Sequence, residues 1–395
     1  MFNYTFPLHN HSTQTFPNMN FFKENVPPFY LKLALVMVGI LSLGYLTVIG
    51  KEILCPLVFG LLFSILLLPI AKFIEKKFRL PRGAASGLSV LLLLIAIALL
   101  LYLLGSQFSN LSQDWPQFKA QLMGSLHNLQ QWVSINFHID LQKQMAYLNS
   151  ATSSIAKNST AVIGATVVSL SSILLFIIFI LIDTFFLLFY RHLLLKFIIK
   201  AFKEENSHIV LDIVEEVQYM VRKYILGLLL EMAIVATVCC VVFLILGIKY
   251  AVLLGLITGL FNIIPYIGIY TALLLNIFIT FATAAGSTKI LLIIITVVAM
   301  HTIDSNILLP LIVGSKVKIN AFVTILGVVI GEKLWGIPGM FLSIPVIAIT
   351  KIIFDRVDSL NAWGMLMGDE EVTGKQGKKH SLLLKKRKKK INSSA

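Results

Sequence analysis

Three carboxylates, Asp183, Glu231 and Asp304, lie inside stretches of sequence that are otherwise almost wholly apolar. An ionised group in such surroundings is expensive, and an acid within a membrane segment is a functional candidate by default. It can exchange a proton or hold a cation as its surroundings change. Asp304 has the richest polar company, with Asn306 two residues on and His301 three residues before. A three-residue spacing puts His301 and Asp304 on one helix face, where an imidazole beside a carboxylate can relay a proton. Each residue also has a blander reading. His301 could make an ordinary polar contact, Asp183 could hydrogen-bond a neighbouring helix, and Glu231 could pair with Arg222 or Lys223 near an interface.

Other chemistries find no support. The chain has no H-E-x-x-H zinc motif and no G-x-x-x-x-G-K-[ST] phosphate loop. Cys55, Cys239 and Cys240 lie in apolar runs without metal-ligand spacing and read as small core residues. No nucleophile has a base in evident reach. An enzyme, a resident metal and a cofactor are therefore not expected.

The elements that must position the carboxylates are membrane helices. The chain of 395 residues is 57% hydrophobic and 13% charged, with a mean hydropathy of +0.87. Soluble domains carry about twice that share of charge. A helix needs roughly 20 apolar residues to cross a hydrocarbon core of ~30 Å. Candidate spans run over 33–49, 53–70, 84–104, 161–190, 224–246 and 290–313. The formal net charge of +14 is concentrated at the C-terminus, in Lys375, Lys378, Lys379 and the run from Lys385 to Lys390. In a membrane protein, that tail suits anionic lipid or topology control better than nucleic acid.

The organisation expected is a flexible cytoplasmic arm over 1–30 and three spans within 31–104. An extracytoplasmic amphipathic segment over 105–160 precedes a transport core over 161–357. A basic cytoplasmic tail occupies 358–395. In segment 105–160, Trp115, Phe118, Leu122, Leu126, Leu129 and Trp132 recur at helical spacing. A second amphipathic helix is expected near 193–223. Basic loops around Lys72–Arg82 and Arg191–Lys223 place both termini in the cytoplasm by the positive-inside rule.

Two segments of the core are broken. Residues 250–285 are interrupted by Asn262, Pro265 and Gly268, and residues 320–354 by Gly336, Pro338 and Gly339. Each holds a small-x-x-x-small pair before its break, Gly255 with Gly259 and Gly327 with Gly331. Backbone groups freed by proline and glycine cannot stay bare in lipid, so they must face protein or water. Paired interruptions of this kind mark transporter binding sites. Proline kinks packed in lipid are the alternative. The two segments read either as re-entrant hairpins or as single crossings, giving about eight transmembrane segments in an all-α polytopic protein.

These motifs resemble those of the autoinducer-2 exporter (AI-2E) family of bacterial transporters. Asn262-Ile-Ile-Pro265-Tyr266-Ile-Gly268 is similar to its N-x-I-P-Y-x-G signature. Asp304-x-Asn306, Pro310, Val313-Gly314, Gly336-Ile-Pro338-Gly339 and Ile344-Pro345 follow in the family's order. Leu228 and His301 depart from it, each standing where the family often has glutamine. The resemblance implies a gradient-driven exporter of small polar molecules in the bacterial plasma membrane, or a monovalent cation/proton antiporter on the same scaffold. It also implies a homo-oligomer. A scaffold or sensor that transports nothing is the remaining reading.

Overall fold

The computed structural model describes residues 29–113, 159–202, 207–265, 267–283, 287–312 and 319–368, with isolated residues between 116 and 135. The N-terminal arm before residue 29, most of the 105–160 segment, Tyr266 and residues 369–395 of the basic tail lie outside the described residues. The chain divides into two compact units, residues 1–47 and 48–395. The first carries most of α1 (Phe29–Ile49), a helix apolar on all sides.

Every described element of the second unit is helical. They are α2 (Lys51–Phe78), α3 (Arg82–Gln113), α4 (Ser159–Phe189), α5 (Arg191–Ala201) and α6 (Ser207–Ile245). The first broken segment forms α7 (Ala251–Asn262) and α8 (Ile267–Ala282). Next comes α9 (Ser287–Ile303), which continues through a π-helical turn (Asp304–Leu308) into a last α turn (Leu309–Ile312). The second broken segment forms α10 (Ala321–Trp335) and α11 (Ile337–Arg356), and α12 (Asn361–Met367) follows. Helix is the expected answer in lipid, because it satisfies its own backbone groups. Six of these helices are long and apolar enough to cross a membrane: α2, α3, α4, α6, α9 with its continuation, and α11. The chain is an all-α polytopic membrane protein.

The amphipathic helix expected near 193–223 is divided. Its first part is α5, and its second is the N-terminal half of α6, which runs on without a break into the apolar span. At 39 residues, α6 is about 58 Å long at ~1.5 Å per residue, and α2, α5, α7, α9 and α11 pack along it. Met220, Val221, Tyr224, Ile225 and Leu228 on its first half pack with α2 and α11. Val235, Cys239 and Phe243 on its second half pack with α7, α8 and α9. Two apolar cores therefore share one helix.

Both broken segments fold back on themselves. Lys289 Nζ donates to the Gly247 carbonyl at 2.7 Å, which brings the start of α9 beside the start of α7. Asn320 caps α10 by accepting from Val323 N at 2.8 Å, and its amide donates to Leu366 O at 2.7 Å beyond α11. The open ends of each hairpin therefore lie together. Arg356, ending α11, pairs with Glu216 near the start of α6, whereas Gly247 follows the end of α6. The hairpins enter from opposite ends of that helix.

The similar glycine pairs do different work. A Cβ at Gly255 would lie 2.6 Å from Cys240 N, and one at Gly259 would lie 2.7 Å from Met232 O, so this face seats α7 on α6. In the second hairpin a Cβ at Gly331 would lie 2.3 Å from Gly339 O, so the contact clamps α10 onto α11. Gly336 joins those two helices at φ 65° and ψ −141°, backbone that only glycine adopts readily.

Candidate functional site

Glu231 lies where the two cores of α6 meet, three residues after Leu228 and four before Val235. It is 3% exposed. Facing it are the end of α7 and the start of the π-helical turn. Asn262 Nδ2 donates to Glu231 Oε1 at 3.0 Å and to Asp304 Oδ2 at 3.2 Å. Asp304 is 5% exposed, and the shared amide holds the two carboxyl groups side by side. Glu231 Oε2 and Asp304 Oδ1 have no hydrogen-bond partner among the described residues.

Local structure explains the placement. The break after Asn262 ends α7 and leaves the side chain at the hairpin tip. Gly268 then packs against Phe261, where a Cβ would come within 1.8 Å of the Phe261 carbonyl oxygen. The π turn changes the helical register at Asp304, a distortion often found at functional sites. It points Asp304 inward and leaves Asn306 exposed, its amide donating to Thr302 O at 2.8 Å.

His301, one turn before Asp304, is half-buried and lines the same closed crevice with Thr258, Asn262 and Ile269. Its Nδ1 is buried without a partner among the described residues. Asp183 stands elsewhere. It lies at the crossing of α4 and α2, where a Cβ at Gly60 would come within 2.6 Å of Asp183 Cβ. Of the five polar candidates, His301 and Asp304 line one crevice, Glu231 is joined to Asp304 through Asn262, and Asn306 and Asp183 stand apart. Glu231 does not pair with Arg222 or Lys223, the alternative open to it.

The broken-helix motifs are also separated. Asn262 reaches the carboxyl pair, with Pro265 and Gly268 shaping the tip. Gly336, Pro338 and Gly339 shape the other tip. There Trp335 and Pro338 line a cavity of about 470 Å³ with Cys55, Phe176 and the charged pair Lys51 and Glu52. Glu332 and Lys333 pair with each other at 2.9 Å. No group of three or more His, Cys, Asp or Glu among the described residues could hold a metal. Cys55 and Cys239 are buried free thiols.

Two polar features escaped the sequence reading. Arg191 Nη2 donates to both carboxylate oxygens of Glu75, at 2.7 and 2.6 Å, tying α2 to α5. Thr258, Asn276 and Thr280 form a buried polar seam inside the first hairpin. A lone asparagine in the apolar run of α8 was the available signal.

Relatives match most of the chain at low identity. YueF of Bacillus subtilis is 28% identical over 319 residues, covering 75% of this chain and 82% of that protein. YrrI of the same organism is 26% identical over 312 residues, covering 77% and 86%. The AI-2 transport protein TqsA of Escherichia coli is 26% identical over 341 residues, covering 84% and 95%. The pattern described as AI-2E family transporter matches residues 33–359. With that match spanning the helices that hold Glu231, Asn262 and Asp304, the chain belongs to the AI-2E family of membrane transporters.

Proposed function

We propose that this transporter is a gradient-driven exporter of small polar molecules in the bacterial inner membrane, coupled through Glu231 and Asp304. The carrying observation is the bridged carboxyl pair. Two like charges side by side in a lipid-embedded core cannot both stay ionised without a compensating proton or cation. An ion bound between them neutralises the pair, and its departure restores the repulsion. Asn262 senses both states because its amide bonds to both acids, and it lies at the tip of a hairpin that can shift against α6. The exit and entry of one ion thus changes the position of a broken helix, which is what alternating access needs. His301, in the same crevice, is the candidate to pass a proton to the pair. TqsA is named for AI-2 transport, which supports a small polar cargo.

The topology that accompanies this reading has both termini in the cytoplasm and the second hairpin entering from that side. It is supported by the basic residues around Glu75 and Arg191 and by the Arg356–Glu216 pair. A homo-oligomer, and contact of the basic tail with anionic lipid, belong to the same proposal.

Cation/proton antiport is the second reading. The crevice beside the pair is too tight to admit an organic molecule. Flux in proteoliposomes under an imposed pH gradient tests both. Proton-driven movement of small polar solutes supports export. Sodium or potassium movement without such solutes supports antiport. Undiminished flux in D304N removes the carboxyl pair from either scheme.

A further inference from the structure

The first hairpin contains a second polar feature that the carboxyl pair does not use. Thr258 on α7 meets Asn276 on α8, and Thr280 lies one turn beyond Asn276, with exposures of 1%, 0% and 0%. Asn276 Nδ2 donates to Thr258 Oγ1 at 2.7 Å, and Thr258 donates to Leu254 O at 2.8 Å. Two oxygens of the seam, Asn276 Oδ1 and Thr280 Oγ1, have no partner among the described residues. They lie one helical turn apart, on a helix that packs into an apolar core with Leu254, Ile279, Ile293 and Val297.

Thr280 departs from the habit of threonine in this protein. Thr184, Thr237, Thr296 and Thr302 each donate to the carbonyl one turn back, at 2.6 to 2.8 Å. That bond is the usual way to satisfy a hydroxyl inside a helix. The Thr280 hydroxyl does not make it, although it is fully buried. Leaving such oxygens unpaired is costly, so a ligand that takes them up is the expected occupant.

We propose that Thr258, Asn276 and Thr280 form a binding site for an alkali cation, which begins one helical turn from Asn262, the residue that bridges the carboxyl pair. Their oxygens are neutral, which suits a monovalent ion. A divalent ion would lose too much hydration for so few uncharged ligands. Asn262 lies one turn from Thr258 on α7, and Thr283, one turn beyond Thr280 near the open end of the hairpin, donates to the Thr280 carbonyl at 2.8 Å. The polar line therefore runs from Glu231 and Asp304 along the inside of the hairpin to its base. This seam gives the coupling ion a resting place between the pair and one end of the hairpin, and that role rests on the pair being the coupling site.

The test is binding of radiolabelled sodium to the full-length protein in lipid nanodiscs, with flux in proteoliposomes measured beside it. Wild type, T280S and D304N are expected to bind sodium saturably. T280V and N276L are expected to weaken binding by about tenfold or more, as for loss of a ligand worth ~1.5–3 kcal/mol. Should T280V not give monodisperse protein, T280C keeps the volume and removes the oxygen. Unchanged sodium binding in T280V, T280C and N276L overturns the site. So does the absence of saturable sodium, lithium and potassium binding in wild type. Sodium binding abolished by D304N alone assigns the ion to the carboxyl pair and also overturns the seam. Flux that survives in D304N while T280V loses sodium binding refutes the coupling reading and leaves the seam standing as a cation site.

Discussion

Glu231 and Asp304, 73 positions apart in the chain, accept from a single amide, the Nδ2 of Asn262, at 3.0 and 3.2 Å. Removing one charge should separate function from stability. E231Q and D304N are expected to lower proton-coupled flux by about a hundredfold or more, the range of a lost acid–base group. Both should melt at or above the wild-type temperature, because the like-charge contact is relieved. N262L removes the bridge instead and should cost about 1–3 kcal/mol, since two buried acceptors lose their donor. Melting curves in detergent, with flux assays alongside, check all three. Wild-type flux in either acid variant would be fatal to the pair.

The second hairpin depends on a backbone contact that tolerates no side chain. A Cβ at Gly339 would lie 2.0 Å from Gly331 O. G339A and G331A should each destabilise by about 1–3 kcal/mol through overpacking. G336A should cost a similar amount, about 1–3 kcal/mol, because of its positive φ. At Gly105 an added Cβ meets nothing within 4 Å, so G105A is the control expected to melt like wild type.

Arg191 and Glu75 are mostly buried, with side-chain exposures of 14% and 18%. Removing either partner strands the other. E75A and R191A should each cost about 3 kcal/mol, and the double variant should cost clearly less than their sum. Thermal unfolding of the four proteins gives the coupling directly. Strict additivity would mean that the pair contributes nothing.

His192, beside that pair, should add a slope to stability in mild acid. Burial, and then the cations of Arg82 and Arg191, hold its pKa below the ordinary 6.5. Between the lowered value and 6.5 the unfolded chain binds the proton more readily than the folded one. Stability therefore falls as pH drops below about 6.5. The side chain is largely exposed, so solvent screening keeps the effect small. H192Q should flatten the slope between pH 7.5 and 5.5 in melting curves, two values bracketing the ordinary histidine range. An unchanged slope would exclude His192 as its source.

The sequence by itself determined the helices and their lipid setting. Apolar runs of about 20 residues leave a backbone no other way to satisfy its hydrogen bonds in hydrocarbon. It also marked the two breaks, because proline and glycine punctuate a chain locally. What it did not determine was which polar residues meet. Asp304 and Asn306 read as a pair, yet one π turn turns the first inward and leaves the second exposed. Asp183 and Glu231 read as equals, yet one abuts a glycine on α2 and the other meets the first hairpin. The glycine pairs looked like a repeat, yet one seats a hairpin on α6 and the other clamps a hairpin shut. Asn276 was one asparagine in an apolar run until the fold set it against Thr258. Helix formation depends on neighbours three and four residues away, whereas the carboxyl pair depends on how α6, α7 and α9 pack across long separations. Only the tertiary structure decides that.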